Sequence, residues 1–120
     1  MERETLTKAQ RRQLRELAGL AYERELGAAI EVLRQDIERW RAGQLNAFQV
    51  NELIHKYHDG VARKLWKLYA MGGDFEHNVY SAIARGILLE SEIDADLLEY
   101  ARPRIEELRP GKAGKGSGEA

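Results

Sequence analysis

Apolar positions recur along this chain at the three- and four-residue spacing of helices, and nowhere with the strict alternation of a strand. Across residues 7–42, Leu14, Leu17, Ala18 and Ala21 share one face of a helical wheel. Tyr22, Leu26, Ala29, Ile30, Leu33, Ile37 and Trp40 share a second face, turned by roughly 120° from the first. Either the helix bends near Gly19 or Gly27, or it stays whole and serves two partners. A whole helix of this length runs roughly 50 Å, well beyond the helices that follow. The overhanging stripe is therefore expected to meet a second copy of the chain through Leu14, Leu17 and Ala21.

The next pattern places Val50, Leu53, Ile54, Tyr57, Val61, Leu65 and Leu68 on one face of a single wheel. Gly60 lies within this run, and a kink at His58–Gly60 is the alternative to a straight helix. Phe75, Val79, Ala82, Ile83 and Ile87 mark a third helix. The pattern then weakens until Ser91 or Asp94 starts a short helix carrying Leu97, Leu98 and Ala101, with Pro103 opening a further turn to Leu108. The breaks carry their own chemistry. Thr7 with Gln10 and Asn46 with Gln49 have capping-box spacing, Gly43 supplies a left-handed stop, and glycines followed by Asp74 end one helix and cap the next. The expected fold is all-α: a single-domain helical bundle over residues 1–108, with a long N-terminal helix, about four main helices and short C-terminal turns. The splits fall near 43–46, 72–74 and 89–94. Residues 109–120 offer nothing to bury and are expected to form a disordered tail.

Composition narrows the chemistry. The 120 residues contain no cysteine, which removes disulfides, thiolate metal sites and thiol nucleophiles. No apolar run approaches the roughly 20 residues of a membrane span, and the expected setting is the cytoplasm. Net charge is −1. It is unevenly spread: seven acids against Arg85 over residues 74–99, a balance of −6, and Arg63, Lys64 and Lys67 without an acid over residues 61–67. Glu31–Arg34, Asp36–Arg39 and Glu38–Arg41 have the spacing of helical ion pairs. So few cations, without interleaved stacking aromatics, argue against a nucleic-acid partner.

The candidate chemistry lies in a second stripe of the middle helix: Asn51, His55, His58, Ala62, Trp66 and Tyr69, polar at one end and aromatic at the other. Imidazoles titrate near neutrality and move protons, which makes Asn51, His55, His58, Trp66 and Tyr69 the candidate ligand or interaction site. Bordering the apolar face, both histidines are expected to be partly buried and hydrogen-bonded. Glu52 and His55 have the carboxylate–imidazole spacing of di-iron bundles, but the second copy of the motif that such a site needs is missing, so neither metal nor cofactor is expected. No arginine stands four to six residues before a histidine, the spacing used by small helical ribonucleases, and no serine sits in a nucleophile elbow. Trp40–Gly43, Phe48, Asn51–Gly60 and Ala62–Trp66 together resemble short uncharacterised bacterial all-helical proteins, a resemblance that brings neither an activity nor site residues. The reading is a non-enzymatic helical interaction or regulatory module, homodimeric, of the toxin–antitoxin kind or similar. The alternative is a small enzyme or ligand-binding protein built on His55, His58 and Asn51.

Overall fold

The computed structural model describes residues 6–71 and 73–111, and all regular structure among them is helical. Helix α1 spans Lys8–Arg41, α2 Ala47–Tyr57, α3 Arg63–Tyr69, α4 Phe75–Ala84 and α5 Ala95–Leu108. A π-helical turn, His58–Ala62, joins α2 to α3, and a 3-10 turn, Glu90–Glu92, precedes α5. With α2, the π-turn and α3 counted as one rod, the described residues form the four main helices that the pattern predicts.

The ends of these helices follow from local chemistry. The Thr7 N–H donates to Gln10 Oε1 and the Gln10 N–H to Thr7 Oγ1, both at 3.0 Å. Asn46 and Gln49 exchange the same two bonds at 2.8 Å. Each box satisfies donors that the first helical turn leaves open. At the end of α1, Gly43 takes φ +83°, which lets the Gln44 N–H reach back to the Arg39 carbonyl at 2.8 Å. Asp74 and Asp94 accept from the His77 and Leu97 N–H groups and cap α4 and α5. The three ion pairs of α1 also form, at 2.6 Å for Glu31–Arg34, 3.3 Å for Asp36–Arg39 and 3.9 Å for Glu38–Arg41. Arg34 holds the Glu31 carboxyl below its ordinary value, chiefly through their hydrogen bond.

Contacts group the chain into two compact units, one holding the residues up to Ala21 and from Asp74 onward, the other Tyr22–Gly73. Helix α1 is unbroken through Gly19 and Gly27, and the boundary falls where its apolar stripe changes direction. In the first unit Leu14, Leu17, Ala18 and Ala21 are buried, as are Val79, Tyr80, Ala82, Ile83, Leu88, Ile93, Leu97, Ala101 and Ile105. This corrects the expected dimer contacts: Leu14, Leu17 and Ala21 belong to the core of their own chain. Sequence separation hid the segment that shares their unit, from Asp74 onward. The Asp94 N–H also donates to Gln13 Oε1 at 2.8 Å, tying the loop before α5 to α1.

Two C-terminal expectations change as well. Helix α5 runs through Pro103 to Leu108, so no separate turn opens there. Arg109 belongs to the folded part, because its guanidinium meets Glu106 at 3.1 Å and Glu90 at 2.9 Å. Of the tail, residues 112–120 lie outside the described residues.

The second unit is a helical hairpin of the C-terminal part of α1 and the α2–π–α3 rod. Its phase is set by the π-turn. In an uninterrupted α-helix Leu65 and Tyr69 are rotated by about 80° and about 120° from Tyr57. A π-turn holds one residue more than an α-turn, and discounting it brings both to within about 20° of Tyr57. Val50, Leu65 and Tyr69 are accordingly buried and Tyr57 half-buried, whereas Leu68 is 41% exposed. The straight wheel put Leu68 inward and Tyr69 on the outer stripe; the extra residue exchanges them.

Candidate binding groove

The expected site residues part company at this turn. Tyr69 leaves the stripe for the hairpin core, where its ring stacks on Tyr22 with centroids 5.2 Å apart and planes 14° from parallel. Its hydroxyl donates to Glu25 Oε2 at 2.5 Å. Tyr69 is thus a structural residue that ties α3 to α1.

The same rotation carries Trp66 toward the side that His58 occupies. On the corrected wheel the two lie about 20° apart, against about 80° on a straight one. His58, Ala62, Arg63 and Trp66 line a groove of about 350 Å³. Trp66 remains 47% exposed, and His58 and Arg63 are exposed beside it. Asn51 and His55 lie on the exposed side of α2 and do not line this groove. The expectation that both imidazoles are partly buried is corrected: both face solvent, because the stripe that carries them lies on the outside of the hairpin. Of the five candidates, the structure brings together His58 and Trp66. It adds Arg63, which the straight wheel had turned away.

Electrostatics distinguish the two arms of the hairpin. On α1, Arg34, Arg39 and Arg41 each engage a carboxylate three residues earlier. On the rod, among the described residues, Lys56, Arg63, Lys64 and Lys67 form no ion pair. A guanidinium, an imidazole and an open indole face can bind an anion and a flat ring together. Among the described residues no three His, Asp or Glu side chains converge as a metal site.

A second groove, of about 390 Å³, runs between the arms of the hairpin and is lined by Ala29, Val32, Leu33, Leu53, Tyr57 and Val61, with Asp36 and Lys56 also contributing. Val61 and Ala62, adjacent in the π-turn, line different grooves. No helix among the described residues is long and apolar enough to cross a membrane. No protein-family model, curated protein or solved structure matches the chain.

Proposed function

We propose that this chain is a helical interaction module whose hairpin, Tyr22–Gly73, docks against the same hairpin of a second copy. The carrying observation is the unequal division of apolar surface between the units. Among the described residues, the first unit holds all the buried hydrophobics except Val50, Leu65 and Tyr69. Among the described residues, the hairpin holds all the exposed large hydrophobics except Phe75, Leu89 and Tyr100. Of these, Ile30, Val32, Trp40, Phe48, Ile54, Val61, Leu68 and Met71, which lie outside the His58–Trp66 groove, are each at least 41% exposed. At ~150–250 Å² per large side chain, they leave on the order of 800 Å² of apolar surface open over the hairpin, the scale of the about 800 Å² that each partner buries in a stable complex.

Two helices bury only the seam between them, and two such hairpins give the four-helix arrangement that closes a core. Self-pairing through the hairpin replaces the route through Leu14, Leu17 and Ala21. A regulatory or assembly role in the cytoplasm, without catalysis by this chain, is part of the same reading.

The test is sedimentation or light scattering across a micromolar concentration series. A dimer is expected, and Val32→Glu and Val61→Glu should each shift it toward monomer, since those side chains are 59% and 41% exposed and lie on the apolar groove. A wild type that stays monomeric, or a dimer indifferent to both substitutions, overturns the reading.

A further inference from the structure

The groove at His58, Ala62, Arg63 and Trp66 has features that an apolar docking surface does not need. We infer that it binds a nucleotide, the base stacked on Trp66 and the phosphate held by Arg63 and His58. The inference stands independently of self-association.

Three observations converge. The first is shape: about 350 Å³ lies at the lower end of the roughly 300–1,000 Å³ of small-molecule sites. The second is the unspent charge. Arg63 lines the groove and Lys67 stands one helical turn further on, both without a carboxylate partner among the described residues. A guanidinium free of a competing acid offers its fork of donors to phosphate oxygens, and an imidazole N–H adds another. The third is the indole. Trp66, 47% exposed beside Arg63, presents an open ring face on which a planar base can stack, and such stacking is tolerant of which base it is.

The sequence argued against nucleic acid because the cations had no stacking ring among them. The π-turn changes that premise by bringing His58 round to Trp66 and Arg63, which as i,i+3 neighbours on α3 already lie side by side. A simple inorganic anion would leave the indole uncovered, and an apolar ligand would leave the cations unused. A nucleotide uses both. It can arrive free or as a unit of a single strand, and both sources present the same ring and phosphate.

The probe is Trp66 fluorescence in the full chain carrying Trp40→Phe, which leaves one indole. Titration with AMP is expected to quench it, with adenosine and inorganic phosphate each binding about tenfold more weakly because each lacks one half of the contact. A ten-residue oligoadenylate binding at least tenfold tighter than AMP, with affinity falling as salt rises, identifies the single strand as the source. Equal affinities per site identify the free nucleotide.

Arg63→Ala should weaken AMP binding about tenfold and leave adenosine unchanged. Trp66→Leu, followed by calorimetry, should reduce AMP to the level of phosphate. Both side chains are exposed, so the melting midpoint should stay within a degree or two of the parent. Absence of quenching by AMP and oligonucleotide at millimolar concentration overturns the inference, as does AMP binding that Arg63→Ala does not alter.

Discussion

Deletion of Gly60 is expected to be tolerated, and even to stabilise the hairpin, although it removes a residue from the middle of a helical rod. If the π-turn accommodates one residue more than an α-helix would, taking that residue out leaves an α-helix in which Tyr57, Leu65 and Tyr69 still share a face. Glycine inside a helix costs about 1 kcal/mol relative to alanine, so the deletion should change stability by between zero and about +1 kcal/mol. The opposite case is far from this in magnitude. Leu65 and Tyr69 are 8% and 6% exposed. Turning either out of the hairpin core forfeits about 2–5 kcal/mol, and the Tyr69–Glu25 hydrogen bond about 1–3 kcal/mol more. The control is insertion of one alanine after Gly60, which rotates α3 by about another 100° and should cost at least 3 kcal/mol. Urea unfolding followed by far-ultraviolet circular dichroism measures both. Near-ultraviolet dichroism reports whether the Tyr22–Tyr69 stack survives. A deletion variant that loses more than about 2 kcal/mol, or loses the stack, refutes the account of the turn as a shift of phase.

The phenol of Tyr80 is buried and donates to Glu76 Oε2 at 3.0 Å; burial first, then the Glu76 charge, pushes its pKa well above the ordinary tyrosine value. Because the unfolded tyrosine ionises near pH 10, its contribution is complete below that pH and declines as pH rises toward the folded pKa. Melts between pH 8 and 11 should show that decline, and Tyr80→Phe should remove part of it; an identical slope in the variant counts against the assignment. Truncation after Gly111 should leave the midpoint unchanged, whereas truncation after Leu108 should lower it by about a degree because Arg109 and its bonds to Glu90 and Glu106 are lost. Equal midpoints would mean that Arg109 adds nothing. His55→Ala should change stability by less than about 0.5 kcal/mol, since the imidazole faces solvent. A larger loss in a paired chemical melt would return His55 to a structural role.

What could be seen in advance divides by the range of the interaction. The boxes at Thr7–Gln10 and Asn46–Gln49, the Gly43 stop and the three ion pairs of α1 formed as their spacing implied, because each joins residues three to five positions apart. The change of stripe direction along α1 was also visible. What completes the first unit was not, since the segment from Asp74 onward joins the residues up to Ala21 only after the whole hairpin has intervened. The π-turn is the deepest case. Nothing in His58-Asp59-Gly60-Val61-Ala62 distinguishes a straight wheel from one with an extra residue, and both wheels place apolar side chains inward. The two are separated by Tyr69, which one wheel turns outward and the other sets against Tyr22 and Glu25 on α1. A sequence signal did exist: Val50, Leu53, Tyr57, Leu65 and Tyr69 align when one position between Tyr57 and Leu65 is skipped. That same skip decides the surface. By drawing Tyr69 into the core it leaves Trp66 outside beside His58, so the residue that completes the hairpin's packing and the residue offered to a ligand are chosen by one turn of the backbone.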